Sequence, residues 1–346
     1  SVGLLGRAGV RAVRAAGERR PGLWRGRTPV ARVCEPPGVM DELPETLAAR
    51  GFLVGEALEA GLSPHDLRAG ALAKPFRGIR ALEAPETLVE RAAAYAPLIR
   101  PWQCVAGVSA LAVLGLPVPW RLAREQVVEL VSLTGRGKPE REGVRVRRLT
   151  AERLEPWWVE GLPVAPAPLA WALMGGRCTV HELVVLGDAI VTAADNYPGR
   201  RIPGPLASLD ELREQVERWV GRSGAAALRA ALPRIRAGVE SPRESDMRLL
   251  IVDAGMPEPE VQVEVFDPMT GLLLGRADLA HREHRVVEEY EGDGHRAKGQ
   301  WDRDIQKYRD FERVGLLVVR ATNRDFVPSP DRWLADLAAS LERRSP

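Results

Sequence analysis

Three carboxylates near the C-terminal end are spaced so that they can meet. Asp278 lies in the run Gly275-Arg-Ala-Asp278-Leu-Ala280, and Glu289 and Glu291 lie two apart in His284-Arg-Val-Val-Glu-Glu289-Tyr-Glu291-Gly292. Both runs read as strands, and residues two apart on a strand project from one face. If the strands are hairpin neighbours, three acids converge. Like charges held together repel and raise one another's proton affinity, whereas a hard divalent cation with oxygen ligands gathers them. Magnesium is the expected cofactor. Such an ion orients a water, lowers its pKa and stabilises charge on a phosphodiester oxygen during in-line displacement, which is nuclease chemistry. Three further residues suit supporting roles: Glu244 as a carboxylate that positions the metal, Gln262 as a hold on the attacking water, and His295 as proton carrier or phosphate contact. Each also has a plain structural reading. Glu244 is the capping-box acid of a helix that starts at Ser241, Gln262 is a strand residue, and His295 is a loop residue.

The elements that must position these residues form an α/β unit from Val239 onward. Ser241 is an N-cap, with Pro242 in the first helical position and Glu244 three residues on. A strand is expected within 256–267 with period two, then the two acid-bearing strands, a polar loop to Trp301, a helix over 302–314 and a buried strand over 316–321. In order, Ser241-Pro-Arg-Glu244, Pro257-Glu-Pro-Glu-Val-Gln262, Gly275-Arg-Ala-Asp278-Leu-Ala280, Val286-Val-Glu-Glu289-Tyr-Glu291-Gly-Asp-Gly-His295, Arg303-Asp304 and Gly315-Leu-Leu-Val-Val-Arg320 resemble a known domain. It is the Vsr-like (very-short-patch-repair-like) endonuclease domain of the PD-(D/E)XK restriction-endonuclease-like superfamily. The resemblance covers about 241–326. It implies that Asp278 is the first metal-binding acid, Glu289 the second and His295 the family's histidine. One departure concerns Glu291, which stands where the superfamily has Lys and this branch has Asp. Lys298 and Lys307 are the nearest lysines, and nothing in the sequence places either in the site.

From Leu43 the chain reads as a short helix followed by a helix–turn–helix. Apolar Val54, Ala57, Leu58 and Leu62 fall at helical spacing, Gly61 can end that helix, and Ser63-Pro64 can open the next. Two short strands around Gly78, within 72–82, read as the wing of a winged helix. A helix–turn–helix sets its second helix in the DNA major groove, which makes His65, Asp66 and Arg68 candidate DNA contacts, flanked by Lys74, Arg77 and Arg80. Winged helices also serve as protein-interaction modules. The runs Gly61-Leu-Ser63, Leu67-Arg68, Arg77-Gly78-Ile79 and Ser109-Ala-Leu-Ala-Val-Leu-Gly-Leu-Pro-Val-Pro119 resemble the AbiEi-type antitoxin family over about 44–189. That resemblance implies a toxin protein as partner.

Between these ends, 127–132, 144–148 and 161–165 read as strands, and 168–174 and 180–194 as helices. His181 and Asp188 lie seven apart on the second helix, where a capping or surface role is expected. Residues 206–237 read as amphipathic helices broken near Gly221-Arg-Ser-Gly224, with Leu209, Leu212, Val216, Trp219 and Val220 as the core stripe.

The chain has 346 residues, 45% hydrophobic and 28% charged, which excludes disorder throughout and suggests two or three domains. The longest apolar stretch, 104–116, is too short to span a bilayer. Forty-five arginines stand against four lysines, as in high-GC bacterial sequences. The formal net charge is +2, an average over a basic leader and an acidic cluster, so it does not count against DNA as partner. Cys34, Cys104 and Cys178 lack CxxC spacing and support neither a disulfide framework nor a zinc site, so a reducing cytoplasm is the expected location. Residues 1–39 are basic and rich in Gly and Pro, consistent with a basic arm, a transit peptide or, more simply, an overextended gene start before Met40. The expected fold class is multidomain α+β: leader 1–39, winged helix 40–83, α+β middle segment with a helical bridge 84–238, and restriction-endonuclease-like α/β core 239–346. The expected function is a magnesium-dependent DNA endonuclease with a winged-helix targeting module. The alternative is a non-enzymatic antitoxin or DNA-binding transcriptional regulator that keeps the nuclease fold.

Overall fold

The computed structural model describes residues 51–68, 72–132, 141–149, 155–193, 197, 199–292 and 298–345. The leader 1–39, the helix expected from Leu43 and His295 lie outside the described residues. The described residues lie within one compact unit, Glu42–Pro346, and combine α-helices with several β-sheets. No described helix is long and apolar enough to cross a membrane.

Strand β1 (Phe52–Leu53) pairs antiparallel with β2 (Ile79–Arg80), and helix α1 (Val54–Glu59) follows β1 directly. Phe52, Ala57, Leu62, Leu67 and Leu72 form a small core of their own. The glycine turn expected at Gly78 is present, with φ at 86° and a two-way bridge between Ala73 and Ala81. The second helix expected after Ser63 is not formed over the described residues. Residues 64–68 make one helical turn, closed by Leu67 N–H on the Ser63 carbonyl.

The middle of the chain contains helix α2 (Leu88–Tyr95), strand β3 (Gln103–Val105), helix α3 (Gly107–Val113), the short helix α4 (Trp120–Ala123) and strands β4 (Val128–Ser132), β5 (Val144–Arg148), β6 (Trp157–Val159) and β7 (Leu162–Val164). The strands form one mixed sheet in the order β5-β4-β3-β7-β6. The long apolar stretch thus divides into a buried strand and a buried helix, parted at Ala106. Helices α5 (Ala167–Met174), α6 (Val180–Val191), α7 (Leu209–Arg218) and α8 (Ala225–Ala231) complete this layer. The hydroxyls of Thr179 and Ser208 cap α6 and α7, and Glu182 and Glu211 close reciprocal capping boxes. The break after α7 depends on Gly224. A Cβ there would lie 2.0 Å from the Gly175 carbonyl carbon, and its φ of 81° is left-handed.

Helix α9 (Pro242–Asp253) leads into strands β8 (Glu260–Phe266), β9 (Leu273–His281) and β10 (Val286–Glu291), helix α10 (Lys298–Arg313), strand β11 (Leu317–Thr322) and helix α11 (Asp331–Arg343). The sheet order is β11-β10-β9-β8, with β10 and β11 parallel and the other pairs antiparallel. One face packs Leu279, Val286 and Ala321 against Met247 and Ile251 of α9 and Trp333, Leu337 and Leu341 of α11. The other packs Val263, Ala277, Ala280 and Val287 against Phe311 of α10.

A buried polar network fastens α9 to α6. Asp188 and Arg248, 0% and 1% exposed, pair at 2.9 Å. Asp188 also accepts from the Ser245 hydroxyl at 2.8 Å and from the Arg236 N–H at 2.7 Å. Arg248 donates to Glu258 at 2.8 Å and to the Arg234 carbonyl at 2.9 Å. His181 Nε2 meets Asp246 at 2.9 Å. His181 and Asp188, expected at the surface or in a cap, are therefore the docking residues of α6. Removing one partner leaves a buried charge unpaired. Arg248→Ala is expected to lower unfolding free energy by about 3–5 kcal/mol in urea denaturation, and a loss below about 1 kcal/mol would show that the network is dispensable.

Candidate active site

The acids of β9 and β10 meet because of strand register. Val287 faces Ala280 and Glu288 faces Leu279, where the ladder ends, and Asp278 and Glu289 are the next residues beyond it, close enough for the Asp278 charge to act on Glu289. On the other side of β9, the β8 pairs Val261–Leu279 and Val263–Ala277 bracket Gln262 and Asp278. Here the period-two pattern fails. Val261 and Leu279 pack on the α9 side of the sheet, while Val263 and Ala277 pack on the α10 side, although each pair is only two residues apart. Gln262 carries the change, with φ at 51° in the left-handed region. A non-glycine residue held there costs on the order of 1–3 kcal/mol and persists only where its surroundings fix it. What fixes it is Glu244, whose Oε2 accepts from the Gln262 side-chain amide at 2.7 Å.

Glu244 is placed by the start of α9. The Ser241 hydroxyl accepts from the Glu244 N–H at 3.2 Å, as the N-cap signal predicts. The Glu244 carboxylate does not complete the capping box on Ser241, however. It accepts instead from the Glu240 N–H at 2.9 Å, one residue further upstream. Asp278 is half-buried, and its Oδ2 accepts from the Tyr290 N–H at 2.8 Å.

Lys307 of α10 closes the group, and sequence reasoning did not place it. Its ammonium donates to Glu289 Oε2 at 2.6 Å and to the Arg276 carbonyl at 3.3 Å. Its aliphatic stem crosses Gly275, where a Cβ would stand 2.9 Å from the Lys307 Cγ. A signal was present. Lys307 precedes buried Phe311 by four residues, so both lie on the helix face that meets the sheet. The other Glu289 oxygen, Oε1, is buried and has no hydrogen-bond partner.

The remaining expected site residues fall elsewhere. Glu291 pairs with Arg320 of β11 at 3.3 Å. Among the described residues, no group of three or more His, Cys, Asp or Glu side chains stands together so as to hold a metal ion. The three-carboxylate cluster expected from spacing is therefore not formed: Glu291 is engaged by Arg320 of β11, while Glu289 is held by Lys307 of α10. Of the expected DNA contacts, Asp66 is occupied in the turn, accepting from the Ser63 hydroxyl at 2.6 Å and the Ser63 N–H at 3.0 Å. Arg80 donates to the carbonyls of Leu67 at 2.8 Å and Ile79 at 2.9 Å. His65, Arg68, Lys74 and Arg77 are exposed.

The electrostatics follow from burial and crowding. Burial, then the Asp278 charge, pushes Glu289 up to about 8, against the pull of Lys307. Burial and Asp278 push Glu244 up to about 7, against its hydrogen bonds from Glu240, Ser241 and Gln262. Burial also raises Asp278, opposed by the Tyr290 N–H and the Lys307 charge.

No family model matches the chain, and no solved structure matches it. Uncharacterized proteins of Mycobacterium tuberculosis, from strain CDC 1551 / Oshkosh and strain ATCC 25618 / H37Rv, are each 30% identical to it over 164 residues. The match covers 44% of this chain, and the chain spans 60% of the length of these curated relatives.

The raised carboxylates have a consequence for stability. A carboxylate near 4.5 when unfolded and near 8 when folded binds more protons in the native state between those values, so its contribution is full at low pH and is lost as pH rises through about 8. In metal-free buffer, Glu289→Gln is expected to unfold at a higher Tm than wild type near pH 8 and to flatten the decline in Tm from about pH 5 to about pH 8. Parallel Tm profiles for the two proteins would show that Glu289 carries no such penalty.

Proposed function

We propose that the chain is a divalent-cation-dependent DNA endonuclease that hydrolyses phosphodiester bonds, with a restriction-endonuclease-like core over 239–346 and a winged-helix targeting module over 40–83. One observation carries the reading: Asp278 and Glu289 are held side by side and partly buried, with the Lys307 ammonium on one Glu289 oxygen and no partner on the other. Two buried acids brought together raise each other's proton affinity, which is a poor arrangement for stability and a common one for catalysis.

The residues fit magnesium through two carboxylates rather than three. Glu289 Oε1 is an orphaned buried acceptor, and the Asp278 oxygen that does not face Tyr290 completes a pair of hard oxygen donors. Magnesium commonly takes only one or two protein carboxylates and keeps water and phosphate oxygens in its other positions. When bound, such an ion supplies Lewis-acid stabilisation of the phosphate and an acidified water. The chain's own groups do the rest. The Tyr290 N–H fixes the Asp278 carboxylate, and Glu244 fixes the Gln262 amide, whose carbonyl oxygen is then available to accept from an attacking water. Lys307 can turn from Glu289 to a phosphate oxygen and offset the negative charge that grows there in the transition state. It thereby fills the role left open by Glu291. The Vsr-like resemblance over about 241–326 agrees with this reading, and magnesium, DNA and the contributions of His295 and the winged helix are parts of the same proposal.

Cleavage of supercoiled plasmid and linear DNA in Mg, Mn or Co tests it. Asp278→Ala and Glu289→Ala are each expected to abolish cleavage, and Lys307→Ala to slow it by about 10²–10³-fold. Glu291→Ala is expected to stay within a few-fold of wild type. Absence of cleavage by wild type with every metal, or equal cleavage by Asp278→Ala, would overturn the reading in favour of a non-enzymatic antitoxin or regulator.

A further inference from the structure

A second site is built around Arg91. A cleft of about 1110 Å³ opens between the turn after Ala73, helix α2 and the segment that enters β5, and it is lined by Lys74, Arg77, Arg91 and Arg141. Glu142 is the carboxylate in its lining. Among the described residues, no ion pair ties any of these four cations to a carboxylate.

The chain holds these like charges together by specific contacts. Arg141 donates to the Arg77 carbonyl at 3.1 Å, which brings two guanidinium-bearing segments to one rim. The Arg91 guanidinium lies over the Phe76 ring at 5.1 Å, and Phe76 is itself anchored edge-on against Tyr95 at 5.0 Å. Gly143 makes room for that arrangement: with φ at 73°, it has no Cβ where one would stand 3.0 Å from Arg91 Nη2. The Arg91 Nε is buried and has no hydrogen-bond partner. Four cations gathered around a single carboxylate, with no ion pair among the described residues, repel one another, and one buried donor is left unpaired. Both costs vanish when an anion with several oxygens enters. Guanidinium forks match phosphate oxygens bidentately, and the cleft is larger than a single phosphate requires.

We propose that this cleft clamps the phosphodiester backbone of duplex DNA, with Arg91 and Arg141 joining Lys74 and Arg77 as phosphate contacts. The choice of DNA as the polyanion rests on the nuclease reading; the anion-binding chemistry does not. The clamp carries no base readout. It fixes register and orientation, as phosphate contacts do. It also moves the basic contact surface away from the turn after Ser63, where Asp66 and Arg80 are already engaged in holding the module together.

Anisotropy of a short fluorescent DNA duplex, titrated with the full chain in the absence of divalent metal, tests the clamp without cleavage. An Arg91→Gln/Arg141→Gln protein is expected to lose at least about tenfold in affinity near physiological salt and to reduce the slope of log K against log salt by about two. The exposed pair Lys74→Gln/Arg77→Gln is expected to show the same trend, which keeps the test decisive if the first protein unfolds. Glu142→Gln is expected to tighten binding by about two- to threefold, an effect that a merely structural role would not produce. Unchanged affinity and slope in both double variants would overturn the clamp. So would binding of inorganic pyrophosphate with this variant sensitivity but no binding of the duplex, which would assign the cleft to a small anion. If the variants lose duplex binding while wild type cleaves no DNA with any metal, the nuclease reading fails and the clamp stands.

Discussion

The buried Asp188–Arg248 pair is the constraint on which the C-terminal half depends. Two charges removed from water are tolerable only when each is also bonded to other groups, and here Ser245, the Arg236 N–H, Glu258 and the Arg234 carbonyl supply those bonds. Helix α9 therefore cannot slide or rotate on α6 without exposing an uncompensated ion. Glu244 lies four residues before Arg248 on the same helix, so the network that fastens the helix also sets the carboxylate that holds Gln262. A purely apolar contact would leave that position less well defined, because dispersion contacts are numerous and individually weak.

The candidate site forms where the sheet breaks its own rule. Alternation along β8 and β9 changes at Gln262 and Asp278, so side chains from both sides of the sheet approach one point. Helix α9 reaches it with Glu244 and helix α10 with Lys307. A regular strand pair would keep the two helices on opposite faces, and their polar side chains would not converge. The neighbouring acid shows the contrast. Glu288 points to the other face, fully buried, and meets His281 Nδ1 at 2.8 Å, while His281 Nε2 meets the Pro257 carbonyl at 2.9 Å. Adjacent residues of one strand thus serve two unrelated purposes, and the period of the strand separates them.

Charge is used differently at the two ends of the described chain. In the C-terminal unit, acids are buried and crowded, and their proton affinity rises because water is excluded. Around Arg91, cations are gathered at an open cleft and supported by a ring, a carbonyl and a glycine rather than by carboxylates. The first concentrates negative charge in a buried site, and the second gathers positive charge at an open one. A near-neutral net charge conceals both.

Much of the architecture was legible without coordinates. Strands 144–148 and 286–291, the capped start of α9 and the break near Gly224 follow from side-chain period, cap chemistry and turn residues, which act over a few positions. The meeting of Asp278 and Glu289 was legible only on the condition that their strands are neighbours, which the sheet order supplies. What the tertiary structure alone decided are the contacts between residues far apart in sequence. Lys307 and Glu289 are joined by a crossover helix, Gln262 and Glu244 by an abnormal φ, Asp188 and Arg248 by the docking of two helices, and Arg141 and Arg77 by a cleft rim. Spacing cannot show such contacts, because helix and strand periods order side chains within one element, and these pairs depend on how separate elements are laid against one another. The same limit explains the two expectations that failed. Glu291 shares a strand face with Glu289 but is drawn into an ion pair with Arg320 of the adjacent strand, and the turn after Ser63 carries a helix-start signal without extending into a helix over the described residues.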